Sequence, residues 1–290
     1  MPSISLILGS GGARGLAHIG VIRWLEENGY DIQSVAGCSA GALVGGVYAA
    51  NKLDEFEKWS RTVNRIDIVR LLDISWRGGG FFRGDKFINT IVDIVGKKRI
   101  EDLDIPFTAV AADIYNEKEV WLQTGDLFDA IRASISLPLF FRPFSHNGSK
   151  LVDGGILDPV PIAPTFGDQT DLTIAVNLSG KIERHKPNSV SLDSQDKEDS
   201  VANDWISHYM GKLQKTISSD HETEWTMHEI ASQAFDLMQS AIAKQKLTAY
   251  PPDHLIEIPR NACMALEFDR AAEMIELGYQ KTAEYFARSG

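Results

Sequence analysis

The stretch Gly37-Cys-Ser-Ala-Gly41 constrains the fold of this chain more than any other. It follows a β-prone run at 34–36 and precedes a run of small residues, 42–50, with helical character. The pattern G-x-S-x-G between a strand and a helix places its serine on a sharp turn, with the hydroxyl projecting away from the backbone. The N-terminus of the following helix favours developing negative charge. Taken alone, the pentapeptide fits either a nucleophile, Ser39, or an ordinary tight strand–helix connection.

The N-terminal residues predict a βαβ unit. A strand over 3–8 leads into the glycine-rich turn Gly9-Ser-Gly-Gly-Ala-Arg-Gly15, and a helix follows over 16–28. This order of elements favours a parallel sheet. Arg14 stands where a dinucleotide fingerprint needs glycine, and the Gly-Lys-Ser/Thr ending of a P-loop is absent. We therefore interpret the turn as a set of backbone N–H groups at a helix N-terminus that holds an anion or an oxyanion.

Length and composition fit one α/β domain over residues 1–290, with a polar insertion at about 180–225. Elsewhere, hydrophobic periodicity predicts helices over 53–75, 85–95, 227–247 and 269–287, and strands over 106–112, 119–123, 172–178 and 255–259. The formal net charge of −11 argues against nucleic-acid binding and against purely electrostatic docking on anionic lipid.

The sequence also predicts the cellular location of the protein. No stretch approaches the ~18 consecutive apolar residues of a spanning helix, and the N-terminus lacks the basic segment and cleavage site of a signal peptide. Cys38 and Cys263 are too few for a disulfide framework, and no Cys/His cluster has zinc spacing. We expect a cytoplasmic protein without metal or other cofactor. Any contact with the inner membrane surface is expected to be transient, and either local and apolar or made through a small basic patch. The sequence does not indicate an oligomeric state.

Acyl transfer by Ser39 would need a base. Asp153, followed by two glycines, is the best candidate, since its carboxylate can approach another backbone closely. His18 fits a packed or capping role more readily than a catalytic one. The later histidines lack the setting after a late core strand that a triad requires; these are His185, His208, His221, His228 and His254.

Apolar residues between the two motifs are candidates for an acyl-binding surface: Phe81, Phe82, Leu137, Leu139, Phe140 and Phe141. For most of them ordinary core is the simpler interpretation. Trp76 and the Phe81–Phe82 pair, beside Gly78-Gly-Gly80, are predicted to form an exposed, mobile lip.

Together these motifs resemble the patatin-like phospholipase family, over about residues 3–178. The resemblance rests on the glycine-rich turn at 9–15, the elbow at 37–41 and Asp153-Gly-Gly155, which is similar to the family's Asp-Gly-Ala/Gly motif. The set is most similar to the short bacterial branch related to the catalytic domain of neuropathy target esterase. Residues 133–138 resemble a further family block, in which Ser136 stands in place of alanine.

The resemblance implies a three-layer α/β/α fold with a mainly parallel central sheet. It also implies a serine acyl hydrolase with a Ser39–Asp153 dyad and no catalytic histidine. The amides of an oxyanion hole would come from Gly11, Gly12 and Ala13, with Arg14 nearby. The motif glycines are Gly9, Gly15, Gly37, Gly41, Gly154 and Gly155.

The substrate implied is a lipid or other acyl ester, cleaved without calcium. Two alternatives stay open on the sequence. One is an acyl transferase or thioesterase acting on acyl carriers, which also uses a G-x-S-x-G elbow but usually with a histidine partner. The other is a regulatory protein with a retained but inert site.

Overall fold

A computed structural model describes residues 1–72, 84–138, 140–183 and 227–289. The chain divides into two compact units, residues 1–183 with 236–290, and residues 184–235. Of the second unit, only the helical residues 227–235 are described. The predicted insertion lies outside the described residues except for 180–183, as do Leu139 and the predicted lip around Trp76, Phe81 and Phe82. The single-domain assignment stays a prediction.

The first unit is built on a mixed sheet of eight described strands. They are β1 (Ser3–Leu8), β2 (Asp31–Cys38), β3 (Phe107–Asp113), β4 (Lys118–Leu122), β5 (Phe144–His146), β6 (Ser149–Asp153), β7 (Leu172–Gly180) and β8 (His254–Pro259). Their order is β5-β6-β3-β2-β1-β7-β8, with β4 also paired to β3. Neighbours from β3 through β8 in this order pair in parallel, whereas β4, β5 and β6 pair antiparallel.

The described helices are α1 (Ala17–Glu27), α2 (Ala40–Ala49), α3 (Leu53–Ser60), α4 (Arg65–Leu72), α5 (Asp85–Val95), α6 (Leu127–Ser134), α7 (Met227–Ala249) and α8 (Ala271–Ser289). Residues 53–75 were predicted to be mainly helical, and the described part of them, up to residue 72, forms two helices, α3 and α4. The break follows from Asn64, whose side-chain oxygen accepts the N–H groups of Ile66 and Asp67 at 2.9 and 3.1 Å. This local bond starts a new helix and competes with continuation of the old one.

Alternation along β1 shows that the sheet is covered on both faces. Ile4, Leu6 and Leu8 join the larger hydrophobic core, to which α1, α2, α5 and α6 contribute. Ile7, which points to the opposite face, joins a smaller core with Ala243 of α7. The predicted three-layer α/β/α architecture with a mostly parallel sheet is thus confirmed.

The pairing of β3 brings distant parts of the chain together. Val110 pairs with Cys38 of β2, and the next residue, Ala111, pairs with Asp153 of β6. Both Val110 and Ala111 also pair with β4. A strand can pair along only two edges, and β4 pairs along one edge of β3 at both residues. The other edge of β3 is paired with β2 up to Cys38 and with β6 from Asp153 onward. The ends of β2 and β6 therefore meet.

Candidate active site

Ser39 lies on the turn between β2 and α2. Its backbone has φ 54° and ψ −119°, a conformation that is costly for a residue with a side chain. The turn is also too tight for side chains at its glycines: a Cβ on Gly37 would lie 2.5 Å from the backbone of Gly41, and one on Gly41 would lie 2.0 Å from the Leu8 carbonyl oxygen. The predicted strand–turn–helix arrangement is present, with Ser39 8% exposed.

Ser39 and Asp153 are directly hydrogen-bonded. The Ser39 Oγ donates to Asp153 Oδ2 at 2.5 Å, and the Gly155 N–H donates to Asp153 Oδ1 at 2.8 Å. The thiol of Cys38 also faces Oδ1, at 3.8 Å. Burial raises the pKa of Asp153 to about 6, against the lowering effect of these hydrogen bonds. The carboxyl group is therefore mainly ionised at neutral pH, with a pKa suited to accepting and returning a proton.

The glycine-rich turn packs directly on the elbow. A Cβ on Gly15 would lie 2.2 Å from the Ala40 Cβ, and one on Gly41 would lie 2.9 Å from the Gly9 carbonyl oxygen. The remaining motif glycine, Gly154, is equally confined, since its Cβ would lie 2.3 Å from the Val110 carbonyl oxygen. Every motif glycine named from the sequence thus belongs to this one cluster of turns.

The turn offers fewer amides than the resemblance implied. The N–H groups of Gly9, Ser10 and Ala13 donate to the carbonyls of Val176, Pro159 and Ala265. The bond from Ala13, 2.9 Å long, argues against its expected role in an oxyanion hole. Within the described part of the chain, the amides of Gly11 and Gly12 have no acceptor, so they are the ones available to an anion.

Arg14 and His18 support the turn. Arg14 is buried, and its Nη1 donates to the carbonyls of Arg260 and Cys263 at 3.0 and 3.1 Å. His18 is fully buried, with Nε2 2.9 Å from the Gly9 carbonyl oxygen. Because a carbonyl only accepts, Nε2 must carry the proton. Burial lowers the pKa of His18 to about 4, so the ring is neutral at physiological pH.

The last residue of α6, Ser134, and Ser136 just beyond it contact the backbone of Ser39 and of Asp153. The Ser39 N–H donates to Ser134 Oγ at 2.8 Å, and that hydroxyl donates to the Val110 carbonyl at 2.6 Å. The Asp153 N–H donates to the Ser136 carbonyl at 3.0 Å. Sequence reasoning missed Ser134; the only signal was the resemblance of residues 133–138 to a family block.

A second buried carboxylate, Asp158, was also missed. It is fully buried, and Lys246 Nζ of α7 lies 3.4 Å from its Oδ2 and 2.6 Å from Glu119 Oε1. Burial raises the pKa of Asp158 to about 7, with a further contribution from Glu119. Asp158 follows the Gly-Gly of the Asp153 motif within a proline-rich loop, a setting that gave no sign of its burial.

The later histidines named from the sequence either have other partners or lie outside the described residues. His254 packs against the rings of Tyr285 and Phe286. His185, His208 and His221 are not described, nor is the side chain of His228. Over the ranges that are described, no group of three or more His, Cys, Asp or Glu side chains could hold a metal ion. Nor does any described helix have the length and apolarity needed to cross a membrane.

Comparison with known proteins identifies the family. Residues 6–166 match the family model of patatin-like phospholipases. The chain belongs to the patatin-like phospholipase family. An NTE family protein of Mycobacterium tuberculosis is 38% identical, in an alignment covering 96% of this chain and 89% of the mycobacterial protein.

Two further matches are more distant. A lysophospholipase named NTE1 from Cryptococcus neoformans is 31% identical over 97% of this chain, which spans only 17% of the fungal protein. Among solved structures, VipD from Legionella pneumophila shows a TM-score of 0.46 and 15% identity, over 99% of this chain and 67% of VipD.

Family membership decides the class of reaction. The chain is a hydrolase of carboxylic ester bonds, acting on lipid esters in the broad sense. The expected resemblance to the branch related to neuropathy target esterase is confirmed by relatives carrying the NTE name.

Proposed function

We propose that this patatin-like protein hydrolyses fatty acyl esters of phospholipids or lysophospholipids through a Ser39–Asp153 dyad. The observation that carries the proposal is the 2.5 Å hydrogen bond from Ser39 Oγ to the buried carboxylate of Asp153. A serine hydroxyl needs a base to become a nucleophile. Among the described residues, the group hydrogen-bonded to this hydroxyl is a carboxylate and not an imidazole.

Acylation follows from this geometry. Ser39 Oγ attacks the ester carbonyl carbon as its proton passes to Asp153 Oδ2. The Gly11 and Gly12 amides stabilise the negative charge that forms on the carbonyl oxygen. When the tetrahedral intermediate collapses, the bond to the leaving alcohol breaks, and Asp153 returns the proton to that alcohol. The acyl group is left as an ester on Ser39.

Deacylation uses the same groups in the second half of the cycle. Asp153 accepts a proton from a water molecule, whose oxygen attacks the acyl-enzyme carbonyl. The same two amides stabilise the second tetrahedral intermediate, and collapse of that intermediate releases the fatty acid and restores the Ser39 hydroxyl with the proton held by Asp153. One carboxyl group therefore serves as base and acid in turn.

The relatives support a lysophospholipid as a first substrate to test. The fungal relative is named a lysophospholipase, and its match covers 97% of this chain. Because this chain spans only 17% of the fungal protein, lysophospholipase activity of this chain is a proposal. We expect hydrolysis at the inner membrane surface without calcium, so that excess chelator leaves the rate unchanged.

The test compares labelling by a fluorescent fluorophosphonate in the wild type, Ser39→Ala and Asp153→Asn. Wild type is expected to label, whereas both variants lose labelling by at least ~100-fold, since each lacks one half of the proton transfer. Ser60→Ala, which removes a buried serine hydroxyl bonded to the Phe56 carbonyl of α3, is the matched control and should label normally.

Other outcomes distinguish the alternatives. Labelling that survives in Asp153→Asn but not in Ser39→Ala would identify another base and favour the acyl-transferase interpretation. Folded wild type that does not label at all would favour an inert, regulatory site. If the wild type labels and both variants do not, release of fatty acid from lysophosphatidylcholine by the wild type alone would identify a lysophospholipid as the substrate.

A further inference from the structure

The hydrogen-bond ladder between β2 and β3 changes at the elbow. The Val35 N–H donates directly to the Pro106 carbonyl at 2.9 Å. In a parallel ladder the donors on one strand and the acceptors on the other advance two residues at a time. Continuing the ladder from Val35 and Pro106, the N–H of Ser39 would donate to the carbonyl of Val110. Instead, the hydroxyl of Ser134 stands between them, accepting from Ser39 at 2.8 Å and donating to Val110 at 2.6 Å.

The Ser134 hydroxyl provides an acceptor for the Ser39 N–H at the point where the backbone leaves β2. With φ 54°, the Ser39 backbone no longer follows the line of β2, and its N–H needs an acceptor other than the strand partner. The site is fully closed, since Ser134 is 0% exposed. Because its own proton is committed to Val110, the oxygen of Ser134 has only acceptor capacity left for Ser39.

We propose that Ser134 is a positioning residue that holds the Ser39 turn so that the Oγ points at Asp153. The inference rests on the proposed function, since it assigns a role within the same dyad. The Ser134 hydroxyl is bonded to the Ser39 backbone N–H and the Val110 carbonyl, and not to the Ser39 hydroxyl or the Asp153 carboxylate. It acts through the backbone of Ser39, and by binding that N–H it leaves oxyanion stabilisation to the glycine-rich turn.

A neighbouring contact ties the base to the same segment. The Asp153 N–H donates to the carbonyl of Ser136, two residues beyond Ser134. One short stretch at the end of α6 therefore contacts the backbone of both members of the dyad. Displacing this stretch would alter the separation between Ser39 Oγ and Asp153 Oδ2, to which proton transfer is sensitive.

The experiment compares Ser134→Ala with wild type and with Ser60→Ala, using fluorophosphonate labelling rates and the hydrolysis of a soluble short-chain ester. Ser134→Ala should lower both the labelling rate and kcat by about tenfold or more, with KM within about twofold, because orientation and not substrate binding is lost. Ser60→Ala should leave all three values unchanged. Ser134→Thr, which keeps a hydroxyl, should recover part of the lost rate.

The outcomes separate this inference from the proposed function. Failure of the wild type to label would refute the dyad itself. A labelling wild type with Ser134→Ala equally fast would refute only the positioning role, as would a loss confined to thermal stability or a change confined to KM. If Ser134→Thr does not fold, Ser134→Cys takes its place, and a rate no higher than that of Ser134→Ala would also count against the role of the hydrogen bond.

Discussion

Burial of Asp153 determines the pH range in which it can act as a base. The carboxyl group is 1% exposed, and its pKa is raised to about 6 by this burial. In the proposed dyad, only the ionised form of Asp153 can accept the proton of Ser39. We therefore expect kcat/KM to be level above pH 7 and to fall about tenfold per pH unit below about pH 6.

The measurement is a pH profile on a soluble ester, with circular dichroism at each pH to show that the protein stays folded. A profile that stays level down to about pH 4.5 would contradict a carboxylate base with the raised pKa. A fall centred near pH 7 would instead draw attention to Asp158, whose pKa is about 7.

The same burial predicts that Asp153 destabilises the folded protein at neutral pH. A carboxyl group with a higher pKa in the folded than in the unfolded chain contributes stability below its unfolded value of 3.8, and loses it as pH rises through about 6. An asparagine side chain at this position would never ionise. Asp153→Asn should therefore raise the free energy of unfolding at about pH 7.5 by up to ~3 kcal/mol, or Tm by a few degrees.

Thermal unfolding of wild type and Asp153→Asn at acidic and neutral pH tests this expectation. The advantage of the variant should fall to a small remainder near pH 4, where the wild-type carboxyl group is almost fully protonated in the folded state and about half protonated in the unfolded chain. Ser39→Ala controls for loss of the dyad hydrogen bond without loss of the charge. Equal Tm differences at both pH values would mean that packing, not charge burial, separates the two proteins.

At the scale of elements, periodicity predicted most helices and strands but not how the strands pair. The helix predicted to follow Asp85 and run to about Val95 is α5, although Gly84 is its cap and Asp85 its first residue. The predicted strand over 172–178 is β7, which extends to Gly180. The meeting of β2 and β6 along β3 depends on pairing between residues far apart in sequence, which no local pattern reports. The sequence motifs predicted Ser39 and Asp153 as site residues, whereas the contact of Ser134 with Ser39 was found only in the structure.

An ion-pair cluster links α7 to β4 and to Asp158, which leads to a prediction for Lys246. Its ammonium group lies between the buried Asp158 and Glu119 of β4. In Lys246→Met, Asp158 would lose the cation that lowers its pKa and would be more costly to ionise. We expect a loss of about 1–3 kcal/mol in stability at about pH 8.5, discounted for the partial exposure of Lys246.

The pH dependence distinguishes this mechanism from lost packing. Below about pH 6 Asp158 is protonated in both proteins, so the difference between wild type and Lys246→Met should shrink. Denaturant unfolding at the two pH values measures it. Lys244→Met changes an exposed lysine two residues away on α7 and should have little effect at either pH. A loss independent of pH would contradict the role assigned to the Asp158 charge.

In the first unit as a whole, the candidate site lies where the strands β1, β2 and β6 end. The glycine-rich turn follows β1, the elbow follows β2, and Asp153 ends β6. Open α/β sheets place ligands at the carboxyl ends of their strands, and this rule was sufficient to place the first two motifs together. It could not place Asp153, because β6 runs antiparallel to β3 and reaches the same edge from the other direction.

The net charge of the chain predicts its preference among membrane surfaces. With a formal charge of −11, the protein as a whole is repelled by anionic lipid, and the repulsion weakens as salt shortens the Debye length. At low salt we expect faster fatty-acid release from phosphatidylcholine vesicles than from vesicles with about one third phosphatidylglycerol, and a smaller difference at high salt. A soluble short-chain ester, hydrolysed at the same rate in both salts, controls for effects on the chemistry. Faster release from the anionic vesicles at low salt would show that a local basic surface outweighs the overall charge.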